Sequence, residues 1–284
     1  MSVENPFSAR GFDGIVANAR RRLQPCPQCG PKVATIVHPF SGAEVVVPVP
    51  CDHQSAALAE AETTAERKRH YDRFTARNDS LRLPAMFSAR SLADFDGRPC
   101  WQAGLQAARK YLATWPERFR NGQGLVLTGA MGTGKTSIAY AIAKAVDALH
   151  YTVFAMSEDG LIKTLRADRE NAPQIAMACQ AVDLLVLDDL AIKRQTELAV
   201  GDLFAILQGR HDRQKPTIIT TNHSGASMVE HFVRCLTMGT SPVPADDAQQ
   251  MVTRAMSRLR QRNVVVQFEG ADQRMSEAPT WLAQ

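Results

Sequence analysis

The sequence predicts an α/β fold, a parallel sheet covered by helices on both faces, preceded by a small cysteine-bearing module. Short β-rich apolar runs recur at Leu125–Thr128, Val153–Met156, Leu184–Asp188, Thr217–Thr221 and Val264–Phe268. Helical patterns such as Thr136–Leu149 and Leu198–Arg213 lie between most of them. The runs are continuously apolar instead of alternating, as expected of parallel strands buried on both faces.

The chain has 284 residues, of which 45% are apolar, enough for one core domain and an appendage. A formal net charge of +4 is compatible with nucleic acid but is more often a solvated surface. No apolar run approaches the length of a membrane span, and the start "MSVENPFSARGFDG" has no apolar signal core. These features predict a cytoplasmic protein with no membrane partner. In that reducing compartment, paired cysteines point to metal more than to disulfides.

The first zone, residues 1–55, is Pro-rich and holds three of the six cysteines. "CPQC" places Cys26 and Cys29 at a tight turn. "VATIV", a turn around "HPFSGA", and "EVVV" then predict a hairpin that returns the chain to Cys51 and His53. Cys26, Cys29, Cys51 and His53 form a Cys₃His set suited to a closed, tetrahedral, structural Zn²⁺ site. Bound metal would supply folding energy that so small a zone cannot draw from a core. The competing reading is reduced, unliganded thiols; a redox dithiol fits less well, since no thioredoxin-like βαβ pattern surrounds "CPQC". His38 falls at the hairpin tip and is expected to be exposed. Cys100, Cys179 and Cys235 lack partner spacing and are expected to pack.

Residues 56–84 supply a connector. "SAALAEAETTAERKRHYDRFTAR" contains good helix formers, no Pro and no Gly, and is charged nearly all round. The third zone, 85–284, begins the alternating pattern. After the strand at 125–128 comes "GAMGTGKT", Gly129 to Thr136. Its backbone N–H groups can wrap a phosphate, and the helix that follows adds a favourable dipole. The spacing G-x-x-x-x-G-K-[ST] assigns Lys135 to the β- and γ-phosphates and the Thr136 hydroxyl to Mg²⁺. Gly129, Gly132, Thr133, Gly134 and Ser137 complete the candidate nucleotide-binding set. A strand before and a helix after are what an incidental glycine turn would lack.

"VDLLVLDDLA" ends a buried strand in two carboxylates, at the edge where α/β sheets bind ligands. Asp188 is the candidate Mg²⁺ residue and Asp189 the group that orients or deprotonates an attacking water. "PTIITTNHS" places Asn222 after the fourth strand, within reach of the γ-phosphate or the water. "LTMGTSPVPADDAQQ", Leu236–Gln250, has the composition of a loop. In "TRAMSRLRQRNVVVQFEG" Arg254 and Arg258 share a helix face. An arginine there could stabilise a phosphoryl group, or belong to a solvated basic face.

Taken in order, "GAMGTGKT", "LLVLDDLA", "TIITTN" and "MSRLRQR" resemble the AAA+ ATPases. Within them, roughly residues 85–275 are similar to the DnaC-like helicase loaders and the IstB-type transposition ATPases. The resemblance implies a P-loop fold with a five-stranded parallel sheet and no separate helical lid. It implies an ATPase that uses ATP and Mg²⁺, with Lys135 and Thr136 as Walker A residues, Asp188 and Asp189 as Walker B, and Asn222 as sensor 1. Arg258 matches an arginine finger acting on a neighbour's ATP, with Arg254 and Arg262 as alternatives, and Arg274 matches a sensor 2 arginine. Asp-Asp replaces the usual Asp-Glu, which implies slow or partner-dependent hydrolysis. Some loaders also carry an N-terminal cysteine cluster and a polar helix, which implies docking on a hexameric replicative helicase, action on single-stranded DNA, and homo-oligomers joined through the trans arginine. A transposition helper on duplex DNA is the second expectation; a zinc-dependent DNA-binding adaptor with ATP as a switch is the third.

Overall fold

The computed structural model describes residues 13, 16–17, 24–39, 41–77, 91–95, 99–239 and 241–270. The chain divides into two compact units, 1–69 and 70–284, a division that falls inside the connector helix.

The first unit is built on the expected hairpin. β1 (Val33–Val37) and β2 (Glu44–Pro48) pair antiparallel, with Thr35 opposite Val46. The turn closes through His38 N–H to the Ala43 carbonyl (2.8 Å) and Gly42 N–H to the His38 carbonyl (2.9 Å). His38 is not the exposed tip residue that composition predicts. Its Nδ1 accepts the Ser41 N–H (3.1 Å), its Nε2 lies 3.4 Å from Asp13, and its side chain is only 11% exposed. Helix α1 (Asp52–Arg77) follows. Its last turns, within the second unit, are less solvated than their charge suggests. The Tyr71 hydroxyl donates to Asp147 (2.8 Å), and Phe74 packs on Phe154 at 5.2 Å between ring centroids.

The second unit is a three-layer α/β sandwich. Its elements are α2 (Pro99–Ala113), α3 (Trp115–Arg120), β3 (Gly124–Gly129), α4 (Lys135–Ala148), β4 (Val153–Ser157), α5 (Glu158–Ala167), α6 (Ala172–Ala181), β5 (Leu184–Leu190), α7 (Glu197–Asp212), β6 (Thr217–Thr221), α8 (Gly225–Thr237), α9 (Ala245–Arg262) and β7 (Asn263–Phe268). All five expected strands form, in the order β4-β5-β6-β3-β7, every pair parallel. One face packs on α2 and α4 through Trp101, Leu105, Ile138 and Ile142; the other packs on α5 to α9 through Leu161, Val200, Phe232 and Val252. Cys179 and Cys235 are buried as expected; the side chain of Cys100 lies outside the described residues.

The expected loop at 236–250 is mostly helix: α8 runs to Thr237 and α9 begins at Ala245. Composition misled here because Ala248, Val252 and Met256 repeat every fourth residue and bury one face, while Asp246 and Asp247 favour the helix N-terminus. A fully buried Arg210 ties together the amino ends of β5 and β6, donating to the carbonyls of Cys179 (2.6 Å), Val182 (2.8 Å) and Pro216 (2.5 Å) and to Thr217 Oγ1 (2.9 Å). Among the described residues no helix is long and apolar enough to cross a membrane.

Candidate functional site

Strand order brings the candidate nucleotide-binding residues together. β6 lies between the phosphate-loop strand β3 and the acidic strand β5, so the carboxyl ends of three neighbouring strands converge. The loop leaves β3 at Gly129 and enters α4 at Lys135. Two of its glycines are required by contact: a Cβ on Gly134 (φ +89°) would lie 2.6 Å from Trp101 Nε1, and one on Gly129 would lie 2.2 Å from the Phe268 carbonyl oxygen. Phe95 meets Trp101 edge-on at 5.1 Å, so an aromatic pair buttresses the loop. Inside it, Lys135 Nζ donates to the carbonyls of Gly129 (3.0 Å) and Ala130 (2.6 Å), and Thr133 Oγ1 donates to Ala130 (2.8 Å). Gly132, Thr136 and Ser137 are half-buried around this centre.

The structure joins the loop to the acids directly. Asp188 Oδ1 accepts from the Thr136 hydroxyl (2.8 Å) and from the Thr220 hydroxyl (2.5 Å). Burial raises the Asp188 carboxyl above the ordinary range and the neighbouring Asp189 charge adds to it, against the two threonine bonds and the nearby Lys135 charge. Tyr140 on α4 is raised too, chiefly by burial and then by the charges of Asp188 and Asp189.

Asp188 is buried and Asp189 is exposed. The cause is a β-bulge: Leu187 pairs with Ile219 but Leu190 pairs with Thr221, one residue out of step. Asp189 and Ala191 adopt left-handed φ values of 58° and 67°. The Asp189 N–H donates to Thr220 Oγ1 (2.9 Å), and Thr221 Oγ1 donates to the Leu190 carbonyl (2.8 Å). Asn222 follows β6 directly and is half-buried between the loop strand and the acidic strand. The turn that carries it is tied to β3 by the Thr128 hydroxyl, which donates to the His223 carbonyl (2.8 Å).

The arginines are elsewhere. Arg254, Arg258 and Arg262 line one face of α9, beside a groove of about 590 Å³ against α7. Arg258 donates to the Gln208 side chain, Arg254 to Gln250 (3.4 Å), and Arg262 to the Asn121 carbonyl (2.8 Å). Asn121 precedes β3, so this end of α9 sits at the amino edge of the sheet. The phosphate loop leaves the opposite, carboxyl edge, roughly 20 Å from the amino edge along a six-residue strand. Arg274 lies outside the described residues.

Sequence reasoning missed Thr220, Thr128, Trp101 and Glu158. For Thr220, parity along "TIITT" is the available signal. Residues 217, 219 and 221 share one face and 218 and 220 the other, so the two hydroxyls nearest the strand end point oppositely.

In the first unit the expected ligands meet. One ligand atom from each of Cys26, Cys29, Cys51 and His53 lies within 4.8 Å of the others, and Cys51 Sγ is 4.0 Å from His53 Nδ1. A tetrahedral zinc with bonds of about 2.3 Å needs sulfurs roughly 3.8 Å apart, so the set fits. The Cys26–Gly30 turn closes by reciprocal backbone bonds of 3.2 and 2.8 Å, with Gly30 at φ +76°. Backbone bonds from Gln28 and Cys29 pull the Cys26 thiol down to about 7, while bonds to Cys51 and Cys26 push Cys29 up to about 12. A cation among the sulfurs would relieve that competition.

A family model described as the IstB-like ATP binding protein matches residues 55–238, more than half of the chain. The chain belongs to the IstB-like ATP-binding family. An ATP-binding protein of an insertion sequence in Mycobacterium tuberculosis is 29% identical over 106 residues, covering 36% of this chain and 42% of that protein. The replicative helicase loader DnaI of Bacillus subtilis is 24% identical over 196 residues, covering 68% of this chain and 59% of that protein. The IstB-like chain thus spans about half the length of these curated relatives. Among solved structures, a DnaI structure aligns with TM-score 0.56 at 21% identity, covering 66% of this chain and 96% of that one. The DnaC helicase loader aligns with TM-score 0.52 at 21% identity, covering 66% and 100%. This IstB-like protein therefore has the AAA+ P-loop fold.

Proposed function

We propose that the protein is an ATP-hydrolysing loader that places a hexameric replicative helicase on single-stranded DNA. The observation that carries this reading is the Cys₃His cluster ahead of the P-loop unit, because the P-loop unit suits a transposition helper equally well. The match to DnaI along 68% of the chain supports it. In this reading residues 1–55 form a zinc-held module that docks on the helicase, 56–84 connect, and 85–284 bind and hydrolyse ATP. Zn²⁺, held by Cys26, Cys29, Cys51 and His53, would supply a structural cross-link.

Mg²⁺, held by Thr136 and Asp188, would neutralise charge on the β- and γ-phosphates. The amides of Gly129, Gly132, Thr133 and Gly134 cradle the phosphates, with Ser137 beside them, and the Lys135 ammonium turns from its loop carbonyls to the phosphate oxygens. Asp189 orients the attacking water and takes its proton; Asn222 holds the water or the γ-phosphate in line. Arg258 serves a neighbouring subunit's nucleotide; its contact with Gln208, on the α7 side of α9, supports this reading. This makes hydrolysis depend on homo-oligomer assembly, with Arg254 and Arg262 as alternative fingers. Arg274 acts as the sensor 2 arginine.

Native mass spectrometry of the full chain with its own source's replicative helicase tests the reading. A discrete complex that needs Cys26 and Cys29 is expected. The family match and the insertion-sequence relative support a second reading, a helper ATPase on duplex DNA with a transposase. ATP-dependent filaments on duplex DNA without helicase binding would select it. No turnover with any partner would select a DNA-binding adaptor that uses ATP only as a switch.

A further inference from the structure

Glu158 is a 1%-exposed carboxyl at the first turn of α5, and the steps above do not use it. Its backbone follows Ser157, the residue that pairs with Asp188 across β4 and β5. Its Oε2 accepts the Ala191 N–H at 2.8 Å. Its Oε1 is buried and has no hydrogen-bond partner among the described residues. Burying a carboxyl on one amide is costly, and a fold retains such a group where it holds something that would otherwise relax.

What it holds is the bulge. Asp189 and Ala191 are both left-handed without being glycine, a backbone conformation that costs any residue with a Cβ. β6 fixes the Asp189 amide and the Leu190 carbonyl through Thr220 and Thr221. Ala191 is fully buried, and Glu158 is the group that takes its amide. We propose that Glu158 is a positioning residue for ATP hydrolysis: its carboxyl oxygen anchors the Ala191 amide and so fixes the bulge that presents Asp189 to the reacting water. This rests on the hydrolysis reading above. The titratable groups facing Glu158 are Asp159 on its own helix and Cys235 from α8. His231 Nε2 lies 3.6 Å from the Cys235 sulfur.

The test uses the full chain with Glu158→Ala, Glu158→Gln and Glu158→Asp, with Asp189→Asn as reference. The readouts are ATP turnover, affinity for a fluorescent ATP analogue, and hydrogen exchange of the 188–192 amides. Glu158→Ala should lose at least about tenfold in kcat with analogue affinity within about twofold, and its 189–191 amides should exchange faster. Glu158→Gln should keep most turnover, because its amide oxygen can accept the same bond. Should Glu158→Ala not fold, Glu158→Asp carries the test: the acceptor is withdrawn by one methylene and kcat should fall. Wild-type turnover and exchange in Glu158→Ala, or in Glu158→Asp where that variant carries the test, would overturn the proposal, as would Glu158→Gln failing as badly as Glu158→Ala. No wild-type turnover, or an Asp189→Asn variant as active as wild type, would instead remove the hydrolysis reading; amide exchange would still decide whether Glu158 holds the bulge.

Discussion

Thr220→Val is a nearly isosteric change that removes one hydroxyl from the centre of the site. That hydroxyl is fully buried, donates to Asp188 Oδ1 at 2.5 Å and accepts the Asp189 N–H at 2.9 Å. A bond to a carboxylate contributes about 1.5–3 kcal/mol, and deleting its donor leaves the acceptor short of a partner. The Asp189 amide loses its acceptor as well. A net loss of about 2 kcal/mol is expected. In the unit of residues 70–284 this corresponds to a fall in Tm of about 4–8 °C. The functional effect should be larger than for an ordinary surface change. The Thr220 bond is one of two that oppose the upward shift of Asp188 by burial, so without it the carboxyl is charged in a smaller fraction of molecules at a given pH. The acid limb of the pH–activity profile should move to higher pH, and Mg²⁺-dependent turnover near neutrality should fall between about tenfold and a hundredfold. Steady-state ATPase assays from pH 5.5 to 8.5, with thermal melts on the same samples, read both effects. Unchanged Tm and an unmoved acid limb would refute the reasoning.

The remaining predictions concern other parts of the account. Gly134→Ala drives a Cβ to 2.6 Å from the Trp101 ring at φ +89°; affinity for a fluorescent ATP analogue should fall at least about tenfold, while Trp101 emission shifts as the ring is displaced. Burial moves the Glu158 carboxyl from 4.5 to about 7. Between those values the folded chain keeps a proton that the unfolded chain releases, so stability should fall as pH rises through that window. The loss is about 3 kcal/mol, and urea titrations at pH 5 and 8 should show it shrinking in Glu158→Gln. Purified protein should carry about one zinc per chain by elemental analysis. Cys29→Ser or a strong chelator should remove it and expose the 24–54 amides to exchange, leaving 99–239 protected.

The sheet was legible because continuous apolar runs such as "LLVL" have little choice but burial on both faces, and because "GAMGTGKT" marks both a strand end and a helix start. Asp188 and Lys135 were legible for the same reason: fixed spacing maps onto fixed geometry. The bulge was not, since nothing in "LDDLA" says that Asp189 and Ala191 turn left-handed. That conformation is imposed from outside by Thr220, Thr221 and Glu158, residues some 30 positions away. The helix α9 was misjudged at its start because Pro, Gly and Ser outweighed the four-residue apolar repeat. The amino-edge position of Arg258 also needed the fold, because sequence places the arginines near β7 without saying at which end of the sheet they stand.

The most direct test measures transfer of the replicative helicase onto closed circular single-stranded DNA, which has no end to thread. The account predicts stable helicase–DNA complexes with the wild-type chain and ATP, and none with Lys135→Ala or with the Cys26 and Cys29 ligands replaced. Equal helicase capture without ATP or with Lys135→Ala would contradict it, as would duplex-DNA filaments that leave the helicase unbound.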